Sequence, residues 1–180
     1  EASFPAFSFD SSLSGDGRYL AFSSNATNLV DGDTNNSYDI FVRDLRTGTT
    51  ERVILGATVP VLSYDGRYIA FNSGPDAVVF DRDSGTTERV SLANDGTPGN
   101  SNSAAPSISA DGRYVAFSSF ASNLVPNDTN DMPDVFVYDR QEKTIERMSI
   151  GDDGTQGNSP SYSAAISSDG RYVAFSSNAS

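Results

Sequence analysis

The tetrapeptide Asp-Gly-Arg-Tyr occurs four times in this 180-residue chain, and a short apolar run follows each copy. The copies begin at Asp16, Asp65, Asp111 and Asp169, at intervals of 49, 46 and 58 residues. A repeat of about this length is typical of folds in which one supersecondary unit cannot bury its own faces and stacks against its neighbours. The repeat therefore decides the architecture before composition is considered.

Each repeat predicts four short antiparallel strands, and the third copy shows them most clearly. The first strand covers 106–109 and leads into Asp111-Gly112, a dipeptide that tolerates the positive φ of a tight hairpin. The other strands cover 113–119, 134–139 and 144–149. The corresponding segments in the other copies are 18–24, 67–73 and 171–177 for the second strand, 39–44 and 76–81 for the third, and 50–53 and 87–90 for the fourth.

The third strand of each repeat is apolar on both faces. Val135 and Val137 point one way, while Phe136 and Tyr138 point the other. A half-exposed strand would alternate apolar and polar residues, so two apolar faces predict a small sheet sandwiched between neighbours. Radial stacking of four-stranded blades in a β-propeller produces this arrangement. We therefore expect an all-β propeller in which the first strand of each blade lines a central channel.

The recurring motifs also resemble a known family. Ser-x-Asp-Gly-Arg-Tyr-x-Ala-Phe, an Asp-x-Phe-Val-x-Asp strand and Thr-Thr-Glu-Arg-Val are similar to the TolB-type (WD40-like) β-propeller repeat of bacteria. The resemblance covers essentially the whole chain and implies a scaffold of the bacterial envelope or a secreted protein. It implies protein partners, met at the channel mouths or on the long loops of blades one and three. Periplasmic or extracellular location is implied in the same way.

The repeats make up a partial ring. The expected blades are approximately 6–54, 57–92 and 103–150, with the first two strands of a fourth in 160–180. Propellers have at least about four blades, so this half-ring would leave two apolar blade faces uncovered. Either the chain is a fragment of a longer propeller, or two copies pair through their open faces. We expect a homo-oligomer or a partner that supplies the missing blades, rather than a stable monomer.

Composition excludes several functions. The chain has neither histidine nor cysteine, which excludes Ser-His-Asp and Cys-His catalysis and zinc sites built from these residues. Its net charge of −12 argues against nucleic-acid binding. The sequence contains no run of eighteen apolar residues, so it predicts no membrane span. Paired carboxylates could still serve a glycan hydrolase or lyase. Almost all the carboxylates obey the repeat, whereas a catalytic pair should break it, so we predict no enzyme and no required cofactor.

The connection between the second and third strands of blade one is the main candidate site. Asp31, Asp33, Asn35 and Asp39 place oxygen-bearing side chains at alternate positions, with Ser37 between the last two. Calcium takes six to eight oxygen ligands, so one interpretation of the pattern is a calcium loop. Asn36 and Val42 stand where a calcium loop of the EF-hand type has its glycine and glutamate. The favoured alternative is a loop folded by Asx-type hydrogen bonds.

Blade three carries a second, weaker version of this loop. Asp128, Asn130 and Asp134 are its corresponding residues, and Pro126 replaces the aspartate that begins the pattern in blade one. Blade two has only a short connection. If calcium binds, it should therefore bind blade one more tightly than blade three and not bind blade two.

The repeated tyrosines, arginines and Glu-Arg pairs favour structural roles. Recurrence in every blade argues against a ligand site, and repeated charges more often tie strands or blades together. Tyr19, Tyr68, Tyr114 and Tyr172 are expected to pack between blades. The function most consistent with the sequence is a non-catalytic binding or scaffold module. The alternative is a carbohydrate-binding or substrate-gating propeller attached to a catalytic domain that lies outside this chain.

Overall fold

The structure, a computed structural model, describes residues 6–180 and contains fourteen strands and no helix in that range. None of the described residues forms a helix that is long and apolar enough to cross a membrane. The strands of blade one are β1 (Ser8–Leu13), β2 (Tyr19–Ser24), β3 (Asp39–Asp44) and β4 (Thr49–Ile54). Those of blade two are β5 (Thr58–Leu62), β6 (Tyr68–Ser73), β7 (Asp76–Asp81) and β8 (Thr86–Arg89). Those of blade three are β9 (Ser103–Ile108), β10 (Tyr114–Ser119), β11 (Asp134–Asp139) and β12 (Thr144–Arg147). Blade four has β13 (Ser161–Ile166) and β14 (Val173–Ser177).

Each of the first three blades is a four-stranded antiparallel meander with its strands in chain order, and blade four is a two-stranded sheet. The first strands of successive blades contact one another, β1 with β5, β5 with β9 and β9 with β13. The blades therefore converge on their first strands and diverge outward, as the propeller prediction requires. The predicted fold, a partial propeller with three full blades and half of a fourth, is confirmed.

The repeated Ser-x-Asp-Gly-Arg-Tyr motif forms the turn between the first and second strands. In blade three, Ser109 Oγ donates to Asp111 Oδ1 at 2.6 Å, and the backbone N–H of Arg113 donates to the same oxygen at 3.0 Å. The N–H of Tyr114 then donates to Ser109 Oγ at 2.9 Å, and Gly112 has a φ of +75°. The other three blades repeat these bonds. The motif is therefore a self-contained turn, which gives its recurrence in every blade a structural reason.

The core lies between blades rather than within them. Phe136 and Tyr138 face a cluster shared with blade two, whereas Val135 and Val137 face a cluster shared with blade four. This arrangement confirms the two-faced third strand expected from the sequence. Two further clusters join blade one to blade two.

The first strands differ from the prediction at a bulge. In blade three β9 begins at Ser103, three residues before the predicted start, and Ala105 adopts a φ of +51° where the register with β10 shifts. Equivalent positive-φ residues interrupt the first strands of the other blades at Asp10, Val59 and Ser163. An extra residue on one strand bends it and increases its twist. The apolar pattern does not mark these positions, so sequence reasoning placed the strand start too late.

Candidate functional site

Arg52 lies at the centre of the predicted calcium loop of blade one. Its Nη1 is 2.8 Å from Asp33 Oδ1 and 3.2 Å from Asp39 Oδ2, and both carboxylates are buried. Asp39 begins β3 and also accepts hydrogen bonds from Asn35 Nδ2 at 2.9 Å and from the Gly56 N–H at 2.9 Å. One guanidinium thus supplies positive charge to two desolvated carboxylates, which would be costly to bury alone.

Asp31 does not join this arrangement. It is exposed, and no ion pair or side-chain hydrogen bond involving Asp31 is found within residues 6–180. In the part of the chain that the structure describes, no group of three or more acidic side chains is placed to hold a metal ion. The structure therefore brings together Asp33, Asn35 and Asp39 of the predicted set. Calcium binding in blade one stays a prediction, and any ion there would have to share the two carboxylates with Arg52.

Blade three repeats this clamp, in which one arginine binds two aspartates, and adds Gln156 as a further partner. Arg147 Nη1 lies 3.2 Å from Asp134 Oδ2 and 3.5 Å from Asp128 Oδ1. Gln156 Nε2 donates to Asp128 Oδ1 at 2.8 Å and to Asp134 Oδ2 at 3.0 Å, and Ser149 Oγ donates to Asp134 Oδ1 at 2.6 Å. Burial raises the pKa of the Asp128 carboxyl.

The third predicted residue of this loop makes a different contact. Asn130 Nδ2 donates to the carbonyl oxygen of Gly157 at 2.9 Å, which ties the loop to the segment that leads into blade four. Asp128, Asn130 and Asp134 therefore act together with Arg147 and Gln156 to hold the long loop. Calcium binding at this loop also stays a prediction.

The short connection of blade two shows the common part of these clamps. Arg89 Nη2 lies 2.6 Å from Asp76 Oδ2 across β7 and β8, with no second aspartate involved. The arginine of each Glu-Arg pair thus binds the aspartate that begins the third strand, and the long loops add a second carboxylate. The recurrence of the Glu-Arg pair correctly predicted charged residues that tie neighbouring strands together. Sequence reasoning missed that these arginines enter the loops chosen as ion sites, although the matching recurrence of Asp and Glu-Arg was a usable signal.

A second recurring constellation lies in the outer grooves between blades. The Tyr19 ring of blade one is covered by Arg18 at 4.6 Å and by Arg82 of blade two at 4.4 Å, measured from Cζ to the ring centroid. Arg82 also binds Glu51 at 2.7 Å and donates to the Gly66 carbonyl at 2.8 Å. A Cβ at Gly66 would lie 2.5 Å from the Tyr19 ring, so the turn glycine lets the tyrosine pack closely.

The groove between blades two and three has the same parts. Tyr68 lies between Arg67 at 4.9 Å and Arg140 at 4.5 Å. Arg140 binds Glu88 at 3.0 Å and donates to the carbonyl oxygen of Gly112, and Lys143 also pairs with Glu88. A cation over each aromatic face is favourable. The expectation that the repeated tyrosines pack between blades is confirmed for these two residues and for Tyr114, whose ring a Cβ at Gly170 would approach to 2.3 Å.

The arginine of each Asp-Gly-Arg-Tyr turn in blades one to three also ties the second and third strands of its own blade together. Arg113 Nη2 lies 2.6 Å from Asp139 Oδ2, and hydrogen bonding from Arg113 lowers the pKa of that carboxyl. Arg18 similarly lowers the pKa of Asp44 to about 2. The turn arginines of blades one to three are therefore already paired within their own blades.

The chain has the fold of a TolB-type β-propeller. TolB from Acinetobacter baumannii aligns with a TM-score of 0.61 at 20% identity, over 93% of this chain and 37% of that protein. A putative TolB from Agrobacterium tumefaciens aligns with a TM-score of 0.59 at 23% identity, over 98% of this chain and 60% of that one. The β-propeller domain of the Trilobed protease from Pyrococcus furiosus aligns with a TM-score of 0.54 at 18% identity, over 79% and 42%.

These similarities establish the fold alone, and this chain spans less than two thirds of each of the three structures. Neither protein-family profiles nor curated proteins give a sequence match.

Proposed function

We propose that this chain is a non-catalytic propeller module that binds protein partners in the bacterial periplasm or outside the cell. The observation that carries the proposal is the engagement of the clustered carboxylates by arginines. Arg52 and Arg147 each bind two aspartates that sequence reasoning considered for chemistry. These carboxylates serve the architecture, and similarity to TolB favours a binding scaffold over an enzyme.

The long loops of blades one and three are the proposed contact surface. Both connect second to third strands, so they emerge from the same face of the propeller, while blade two has only Gly74-Pro75 at this place. The equivalent connections are residues 25–38 in blade one and residues 120–133 in blade three. Anchoring of their buried ends by Arg52 and Arg147 holds the exposed parts in place for a partner.

A loop exchange tests this proposal. Replacing residues 25–38 with Gly-Pro copies the connection of blade two and keeps the Arg52–Asp39 pair, which corresponds to Arg89–Asp76. The matched variant replaces residues 120–133 in the same way. We expect chemical cross-linking in a periplasmic extract to lose specific protein adducts in one or both variants. Thermal melting should change little in the 25–38 variant and fall in the 120–133 variant, which also removes the buried Ala121 and Leu124. An unaltered set of adducts in both variants would contradict the proposal.

The second candidate is a carbohydrate-binding or substrate-gating propeller next to a catalytic domain. Similarity to the propeller domain of a protease favours it. Binding on a glycan array with no protein adduct would support this candidate instead. Hydrolysis or elimination of any glycan by the purified chain would overturn both non-catalytic interpretations.

Self-association is proposed as well. Apolar side chains are exposed on blade one and blade four, among them Phe7, Leu13 and Tyr172, at 57%, 54% and 64%. Apolar blade faces are more often covered than left free. Sedimentation at micromolar concentration should show a dimer or a larger species, and a well-folded monomer would contradict this expectation.

A further inference from the structure

Seven Asp-Gly dipeptides occur in this chain, and all seven aspartates are exposed. Aspartate before glycine can rearrange spontaneously to isoaspartate, because glycine has no side chain to keep its nitrogen away from the aspartate carboxyl carbon. We propose that Asp31-Gly32, in the long loop of blade one, is a site of this modification, and that the fold protects the other six dipeptides. The modification involves no partner, so it is independent of the proposed function.

The reaction needs only the chain and water. The Gly32 nitrogen attacks the carboxyl carbon Cγ of protonated Asp31, a C–N bond forms, and the carboxyl hydroxyl leaves as water with the amide proton. Water then opens the resulting cyclic imide at one of its two carbonyls. Opening at Cγ restores aspartate, whereas opening at the main-chain carbonyl gives isoaspartate, in which the chain runs through Cβ and Cγ.

The attacking nitrogen is restrained in six of the seven dipeptides, because the glycine N–H donates a hydrogen bond to a carbonyl oxygen three residues earlier. In blade three, the Gly112 N–H donates to the Ser109 carbonyl oxygen at 3.0 Å. The same bond, at 2.9 to 3.1 Å, is made by Gly17, Gly66, Gly96, Gly154 and Gly170. In these turns the nitrogen must first give up a hydrogen bond before it can attack.

The carboxylates of the same six dipeptides are also held. Each accepts a hydrogen bond from the N–H two residues later at 2.8 to 3.2 Å: Asp16, Asp65, Asp95, Asp111, Asp153 and Asp169. Hydroxyl groups add further bonds, as between Thr155 Oγ1 and Asp153 Oδ1 at 2.6 Å. Such bonds lower the pKa of Asp16, Asp95, Asp153 and Asp169. The protonated form that reacts is therefore scarcer there than in a free aspartate.

Asp31-Gly32 has neither restraint. Within residues 6–180, no hydrogen bond is found from the Gly32 N–H or to the Asp31 carboxylate. A Cβ added at Gly32 would have nothing within 4 Å, so the surroundings leave room for ring closure. The next residue is fixed, since Asp33 is buried and lies 2.8 Å from Arg52. The unrestrained dipeptide thus lies directly beside the clamp, in the exposed part of the loop.

Isoaspartate at this position would change the loop surface and leave the blade intact. It adds one carbon to the main chain and places the carboxylate directly on Cα, whereas Arg52 keeps its hold on Asp33 and Asp39. The exposed part of loop 25–38 would therefore change shape as the protein ages, while the residues that tie β3 to β4 stay in place.

Ageing of the whole chain at physiological pH and temperature tests the assignment. Peptide mapping by mass spectrometry measures isoaspartate at each of the seven dipeptides, and water enriched in heavy oxygen labels every ring opening. Asp31 should accumulate isoaspartate at least about tenfold faster than any other aspartate that precedes glycine, because the others must first break at least two hydrogen bonds.

Two variants and one solvent condition serve as controls. Asp31→Glu keeps the charge but closes a larger ring less readily, so it should remove the modification at this position alone. Thr155→Val deletes the hydroxyl bond to Asp153 at an exposed position and should speed modification of Asp153 by roughly five- to tenfold, without affecting Asp31. In guanidinium chloride, where the fold is lost, the seven rates should converge.

Three outcomes would overturn the inference. The first is equal accumulation of isoaspartate at Asp31 and at the other six aspartates of the folded chain. The second is an undiminished preference for Asp31 in guanidinium chloride, since the flanking residues rather than the fold would then cause it. The third is an unchanged rate at Asp153 in Thr155→Val, which would remove hydrogen bonding as the source of protection.

Discussion

Strands β10 and β14 lie within identical seven-residue segments, Arg113–Ser119 and Arg171–Ser177, but the two strands occupy different environments. Phe117 is fully buried, whereas the corresponding Phe175 is 36% exposed. The difference has no local cause, because the seven residues are the same and the preceding turns, which differ only in Ala110 against Ser168, form the same Ser–Asp hydrogen bond. β10 has a third strand on its outer edge and a neighbouring blade on each side, while within the described chain β14 has no third strand and packs on blade three alone. Burial in this fold is therefore conferred by neighbours, as expected for stacked repeats.

Truncation of the shared phenylalanine should give the largest difference between the two strands. Phe117→Ala should lower the free energy of unfolding by about 3–5 kcal/mol, since it leaves a cavity in the cluster between blades two and three. Phe175→Ala should lower it by about 1 kcal/mol or less. Urea unfolding followed by circular dichroism measures both. Equal losses would mean that β14 is buried in solution, by a partner or by another copy.

The turn glycines extend the comparison to the other end of the chain. Gly112 and Gly17 have φ values of +75° and +72°, so alanine strains both turns alike. A Cβ at Gly112 would lie 2.1 Å from the Tyr68 ring, whereas nothing lies within 4 Å of one at Gly17. Gly112→Ala should therefore cost about 1–3 kcal/mol more than Gly17→Ala in the same unfolding assay. A difference of zero would show that the tyrosine moves away freely.

The architecture was predictable because its signals are local and repeated. The serine, aspartate and glycine of each turn close their own hydrogen bonds, and the third strands show both apolar faces in six residues. The bulges at Val59 and Ala105 were not predictable, because nothing in the apolar alternation marks a residue with positive φ. The positions of Arg52 and Arg82 were also missed, because each depends on how strands or blades pair in space.

The arginine of the shared segment should show a smaller, pH-dependent difference. Arg113 lowers the pKa of Asp139, so this pair stabilises the fold above the ordinary aspartate pKa and the contribution is lost as the pH falls through the lowered value. Arg113→Ala should therefore destabilise the chain at pH 7, and the deficit should shrink below about pH 4. Arg171→Ala, in blade four, serves as the matched control and should have little effect at either pH. A deficit for Arg113→Ala that is independent of pH would assign its role to packing on Tyr114.

The long loops should give the smallest effect. If blade one binds calcium, millimolar calcium should raise the melting temperature and chelator should lower it, because an ion held only by the folded chain stabilises it. Asp33→Ala should remove this response, whereas Asp128→Ala in blade three should leave most of it. Melting curves that do not change with calcium or chelator would mean that Arg52 and Arg147 alone hold the loops.

Amide hydrogen exchange, resolved by residue, tests most directly whether neighbours confer burial. Since 113–119 and 171–177 share their sequence, their intrinsic exchange rates are nearly the same and any difference reports structure. The amides with which β10 bonds β11 should exchange only on global unfolding, and the equivalent amides of β14 should exchange at least about 100-fold faster. Equal protection of the two strands in the isolated chain would contradict the account.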